Sequence, residues 1–375
     1  MEYSKTDNSK QNEIDMLKQT LIGCTALLVV LTTNTAHSSS SLCSSQLPQL
    51  PEAVSNNAVA SLTVKGVKYL VSFAGIDKGL SHKNIHARTF VFNGSTNSWT
   101  EQSAVPGKDG RLAATAVSVG ELAYVFGGYT VAEDGTEIST PWVHSFNPVT
   151  SKFTELSHMP IPVDDAVAVV FEDRYIYLIS GWHDLGNVNL VQRYDTELDI
   201  WVQATPIPGS SLFGHAGGIV GKKIVYCDGV LVKANPDKRR SFEASNECYI
   251  GTIDSEDKRR IDWRPIESHP GLPRYRMAAT GVESLNSILF IGGSENPYNF
   301  NGMGYNRQPS EPKTGALLFN VETLEWQNFR QNKSPTMDHR GLVEFKNGWV
   351  TIGGMLAKQE VSNGVVSYSL KPKCK

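Results

Sequence analysis

"ILFIGG", residues 288–293, is a short apolar run that stops on two glycines. Taken alone it reads as a buried strand with a tight turn at its end. Five further stretches share the form: "YLVSFAG" (69–75), "AYVFGG" (123–128), "YIYLISG" (175–181), "IVYCDG" (224–229) and "WVTIGG" (349–354). Their last glycines, Gly75, Gly128, Gly181, Gly229, Gly293 and Gly354, follow one another at intervals of 53, 53, 48, 64 and 61 residues. A pattern that returns about every fifty residues marks an array of one supersecondary unit.

A second signal follows most of these runs. An aromatic residue, a turn and a second aromatic seven positions on recur as Phe92 to Trp99, Phe146 to Phe153, Tyr194 to Trp201 and Phe319 to Trp326. In "IDSEDKRRIDW" (253–263), Ile253 and Trp263 fit the same scheme after a three-residue insertion. A proline-bearing segment then leads into the next unit. Each unit therefore reads as four short antiparallel strands, a to d, with a and b ending at the glycine and c and d carrying the rings. Amphipathic helical patterns of useful length are absent. Six such units predict an all-β chain, a six-bladed β-propeller of kelch type over residues 42–375.

The sixth unit stops after its c strand, "KQEVSNGVVSYSL" (358–370). At the other end, "SLCSSQLPQLPEAVSNNAVA" (41–60) resembles the d-to-a passage "TELSHMPIPVDDAVAVV" (154–170). Residues 42–50 are thus expected to supply the missing d strand, so that an N-terminal strand completes the last blade. That placement puts Cys43 beside Cys374. Cys227 ends strand b of the fourth unit and Cys248 begins its c strand, which are antiparallel neighbours. Two disulfides, Cys43–Cys374 and Cys227–Cys248, are expected, against the alternative of four free thiols.

The segment from Met16, "MLKQTLIGCTALLVVLTTNTAHS", has a lysine, an apolar run and a small-residue end at Thr35-Ala36. It reads as a secretory signal peptide over residues 1–36, with Met16 as the alternative start. The mature chain is then expected to be periplasmic or secreted, with no membrane span. With 35 basic and 38 acidic residues, a net charge of -3 argues against a nucleic-acid partner.

Alternating strand direction brings the b-to-c loops and the starts of the innermost strands to one face, beside the central channel. There the sequence collects Arg111, Arg274, Arg276 and Arg340 as anion or hydroxyl clamps, and His215, His339, Asp165 and Asp228 as acid–base candidates. The loop "GGSENPYNFNGMGYNRQPSEP" (292–312) adds Glu295, with Tyr298 and Tyr305 as a stacking lid. Such a set suits a small polar or anionic carbohydrate, although arginines and aspartates at strand starts also pair with one another. The glycines of that loop lack a phosphate-binding spacing, and no HExxH, paired CxxC or GxSxG motif occurs, so no metal and no cofactor is expected.

Four stretches, "DGRLAATAVSVGELAYVFGG" (109–128), "FGHAGGIVGKKIVYCDG" (213–229), "ILFIGGSENPYNFNG" (288–302) and "DHRGLVEFKNGWVTIGG" (338–354), resemble the N-acetylneuraminate mutarotase (epimerase) group of bacterial kelch propellers. The resemblance implies an exported protein that interconverts sialic acid anomers, with a general acid, a general base and a group to hold the carboxylate. In that group a glutamate follows the fourth-blade glycine, with an arginine a few residues later. Here Gly229 is followed by Val230, and the longer loop carries Arg239 and Arg240. The resemblance therefore carries over an arginine, Arg240, and leaves Asp228 or Glu243 as stand-ins for the acid. The competing expectation is a non-catalytic propeller that binds a protein or a glycan.

Overall fold

A strand covered on both faces is apolar at nearly every position, whereas one with a solvated face alternates. The b strands obey the first rule and the d strands the second: Ser287–Ile291 is buried throughout, while Lys152–Leu156 is half-exposed or exposed along its length. In the computed structural model, which describes residues 41–329, 335–371 and 374, these strands form six four-stranded antiparallel sheets. The expected signal peptide, residues 1–36, lies outside the described residues.

Blade 1 runs through Ala58–Val64, Val67–Ile76, Ile85–Asn93 and Ser98–Gln102, in the order a, b, c, d. Blades 2 to 5 repeat this order, with innermost strands Thr115–Val119, Val167–Phe171, Ala216–Val220 and Ala278–Val282. Blade 6 takes Val343–Phe345, Gly348–Ile352 and Val365–Lys371 from the C-terminal end and Ser41–Gln46 from the N-terminal end. The register runs from Ser41 opposite Lys371 to Gln46 opposite Val366. The propeller is therefore closed by an N-terminal strand, as expected, and disulfides join Cys43 to Cys374 and Cys227 to Cys248.

The aromatic pairs explain why the blades repeat. Phe92 lies directly opposite Trp99, Phe146 opposite Phe153, Tyr194 opposite Trp201 and Phe319 opposite Trp326, with ring centroids 4.5–5.3 Å apart. The indole N–H groups of Trp99, Trp201 and Trp326 donate to Pro48, Ser157 and Glu267 carbonyls on the chain entering each blade. Each tryptophan thus packs within one blade and ties down its neighbour. Blade 4 differs from the expected pairing: Ile253 faces Ile261, and Trp263 lies over Gly251, where a Cβ would meet its ring at 2.4 Å.

Three of the b-to-c connections grow small hairpins on the channel-mouth face. They are Tyr129–Val131 with Glu137–Ser139, Trp182–His183 with Gly186–Asn187, and Val230–Asn235 with Lys238–Ala244. Below them, one backbone device recurs six times. The residue that turns the chain into each innermost strand, Asn56, Ala113, Asp165, Gly214, Arg276 or Asp338, has φ between 49° and 68°. This left-handed turn costs about 1–2 kcal/mol for a residue with a side chain. It is held by a run of hydrogen bonds from blade to blade: Ala113 N–H to Asn56 O, Asp165 to Ala113, Gly214 to Asp165, and Arg276 to Gly214.

Candidate functional site at the channel mouth

The left-handed residues carry the mouth chemistry. Arg276 contacts Asp165 at 2.5 Å and Asp338 at 3.0 Å, and Arg340 contacts the same two aspartates at 2.7 and 3.2 Å. All four side chains are at most 3% exposed. Ser55 donates to Asp338, and the Asn56 side-chain Oδ1 accepts from Arg340 Nη2 at 2.6 Å. Two cations and two anions so arranged form a neutral plate across the channel. Burial works against Asp338 ionising, but Arg340 and Arg276 hold its carboxyl below the usual range; burial likewise opposes the Arg276 charge, and Asp165 beside it keeps that guanidinium protonated.

The plate has a cavity on either side, and Asp165 touches both. On one side the innermost strands line a channel of about 360 Å³, walled largely by Val, Ala and Gly. On the mouth side lies a cavity of about 220 Å³. Its walls are aromatic: Tyr129, Trp182, Phe213, Phe242, Phe300 and Tyr305. Phe242, from the blade-4 hairpin, stacks on Tyr305 of the 292–312 loop at 4.1 Å and 18°. The Arg240 guanidinium sits 4.8 Å from the Trp182 ring centre and 5.4 Å from that of Phe242, and its Nη1 donates to Leu185 O at 2.9 Å. Arg240 has no other hydrogen-bond partner among the described residues. Glu137 and Asp164 complete the polar lining with Asp165, Arg276 and Asn299.

The structure thus gathers Asp165, Arg276, Arg240 and Tyr305 around one cavity and places the other expected residues elsewhere. Arg111 is 1% exposed and donates to the carbonyls of Gly127 and Pro106; burial pushes its guanidinium down to about 10. Arg274 donates to Gly292 O. Asp228 is fully buried and accepts from the Arg274 backbone N–H at 2.7 Å, with His269 at 2.8 Å. Tyr298 is also fully buried, edge-on to Tyr275 at 5.0 Å. Glu295 pairs with Lys313. His215 lies edge-on to Tyr226 beside the channel, and His339 shares a 2.8 Å hydrogen bond with Thr336; burial drives both imidazoles down to about 4, so both are neutral.

Glu137 and Phe242, like Tyr129, Phe213 and Phe300, line the cavity but lacked a role in the sequence reading. The first two sit on hairpins that do have a signal. Asp134-Gly135 and Pro236-Asp237 are turn pairs inside the longer b-to-c connections.

A Kelch motif model matches residues 110–160, which is blade 2 with its entry. Kelch domain-containing protein 3 from Rattus norvegicus is 26% identical over 199 residues, 49% of this chain and 48% of that protein. Kelch-like protein terF from Aspergillus terreus is 27% identical over 190 residues, 48% of this chain and 38% of that one. The chain thus spans about half or less of the length of these relatives. The solved structure of YjhT superposes with a TM-score of 0.67 at 17% identity, over 87% of this chain and all of that one, which is a likeness of fold. Six four-stranded blades, one of them matching the Kelch motif model, make this chain a kelch-repeat six-bladed β-propeller.

Proposed function

We propose that the protein is an exported propeller that binds one small carbohydrate in its mouth cavity. The observation that carries this reading is the cavity lining: aromatic faces on several sides, with Arg240, Glu137 and Asp164 outside the ion-paired plate. Aromatic faces pack on the C–H faces of a sugar ring, and the polar groups meet its hydroxyls. A volume near 220 Å³ falls below the ~300 Å³ at which drug-sized pockets begin, which favours a single sugar over a chain. Arg240 offers its remaining N–H groups to a carboxylate, in line with a sugar of the sialic-acid type. The two disulfides are consistent with an oxidising compartment outside the cytoplasm.

The rival reading, a scaffold for a protein or glycan partner, is favoured by three exposed apolar side chains on the mouth-face loops: Ile138 (55%), Leu185 (71%) and Met303 (39%). Calorimetric titration separates the two. N-acetylneuraminic acid is expected to bind the wild-type protein. Phe242→Ala should weaken binding at least tenfold, and Arg240→Ala should weaken it for the acid more than for its methyl ester. If no monosaccharide binds while an extended oligosaccharide or a protein does, the reading is overturned.

A further inference from the structure

Blades 1 to 5 turn from strand c to strand d over one device. Where strand c ends, the side-chain oxygen of an Asn or Asp accepts the backbone N–H groups two and three residues on. Asn93 accepts from Ser95 and Thr96 at 2.9 and 3.3 Å, and Asn147, Asp195, Asp254 and Asn320 do the same in blades 2 to 5. Only in blade 1 is this residue an Asn with a hydroxyl side chain two positions on, so that Asn93-Gly94-Ser95 reads N-x-S. One other stretch of that form, Asn332-Lys333-Ser334, lies outside the described residues. The Asn93 amide spends its oxygen on the turn and keeps its nitrogen: Nδ2 makes no hydrogen bond among the described residues, whereas Asn320 Nδ2 donates to Leu285 O at 3.3 Å. Asn93 is half-buried, and residues 95–98 are exposed. The Gly94 N–H donates to Lys68 O at 2.9 Å, which pins the turn beside the a-to-b connection, on the face away from the mouth cavity.

We propose that Asn93 is a modification site, the acceptor of an N-linked glycan attached during export. This rests on the export part of the proposed function and not on its sugar-binding part. An asparagine two positions before Ser or Thr, with no proline between, is the acceptor form for glycan transfer in exported chains, and it belongs on a surface loop. The donor class is an oligosaccharide carried on a lipid diphosphate. The bond from Asn93 Nδ2 to C1 of the first sugar forms, and the bond from that C1 to the diphosphate oxygen breaks. The diphosphate leaves with the electron pair, and Nδ2 gives up one of its two protons. Nothing is oxidised or reduced. The product keeps Oδ1, so both hydrogen bonds of the turn survive and the folded blade accommodates the glycan. Asp195 and Asp254 show that the turn needs only the oxygen. The glycan stands at the start of Ser98–Gln102, the outer strand of blade 1, where its bulk shields an edge that another chain could pair with.

The test expresses the full chain in a cell whose secretory pathway attaches N-linked glycans, and maps the protein recovered from the medium by peptide mass spectrometry. An amidase that removes N-linked glycans converts each carrying Asn to Asp and so marks the position. The Asn93 peptide is expected to carry the glycan and to show this conversion. Ser95→Ala should lose the glycan, and Ser95→Thr should keep it. Asn93→Asp should lose the glycan and still be secreted, because its carboxylate serves the same two N–H groups; this separates loss of the acceptor from loss of the turn. Secreted protein with an unmodified Asn93, or with a glycan at Asn332 alone, overturns the proposal and leaves export standing. A glycan that persists on the Asn93 peptide in Ser95→Ala overturns the assignment to this motif. A chain retained inside the cell without a glycan overturns the export reading and the modification with it.

Discussion

Removing the Cys43–Cys374 bridge should cost far more stability than removing Cys227–Cys248, although both join adjacent antiparallel strands. The difference lies in the unfolded chain. One bridge closes a loop spanning 331 residues and the other a loop spanning 21. The loop-closure relation gives about 6 kcal/mol for the first and about 3 kcal/mol for the second. The native state points the same way. Without the bridge, Ser41–Gln46 is held by its six-residue register with Lys371–Val366 and by the burial of Leu42. Its loss would uncover Leu42 and open blade 6. Urea unfolding of Cys43→Ser/Cys374→Ser and Cys227→Ser/Cys248→Ser, each as a double variant, measures both costs. The first should be the larger by roughly 2–3 kcal/mol, with amide exchange in residues 41–46 accelerated before global unfolding. A Cys43/Cys374 variant as stable as the Cys227/Cys248 variant would refute the claim that this bridge is what latches the ring.

Two further perturbations address the plate and the buried histidines. Arg276→Met leaves Asp165 and Asp338 buried with only Arg340 between them, and should destabilise the protein by about 3–5 kcal/mol in urea unfolding. His215 and His339, held near 4 when folded, bind a proton near 6.5 when unfolded, so their contribution to stability is complete above pH 6.5 and is lost as pH falls toward 4. Each shift corresponds to at most about 3 kcal/mol; melting temperature should drop over this interval, and the drop should shrink in His215→Gln.

The blade array was readable because its signals are local and periodic: a glycine that must turn sharply, and rings that face across a hairpin. Gly293 shows why the first is reliable. Its φ is 79°, and a Cβ would lie 2.7 Å from Met277 Cγ. Ring closure followed from the missing last d strand and the likeness of residues 41–60 to 154–170, and both disulfides from the strand adjacencies these imply. The site was less readable. The sequence brings Arg276 and Arg340 to the mouth but does not show that Asp338, a residue without an assigned role, would neutralise them together with Asp165. Nor does it show that Arg111 turns toward carbonyls. Asp164 and Asp165 are adjacent and look alike as text. Which of them meets two arginines is decided by the left-handed turn at Asp165, a tertiary fact. Phe242 escaped notice because its hairpin leans across to Tyr305 on the next blade, a contact between residues that no repeat relates.

The most direct measurement is a crystal structure of the protein with N-acetylneuraminic acid. The account predicts density for one sugar ring in the mouth cavity, packed against Phe242 or Trp182, with its carboxylate toward Arg240. Density only in the channel beyond the Asp165–Arg276 plate, or an empty mouth cavity at saturating sugar, would contradict it.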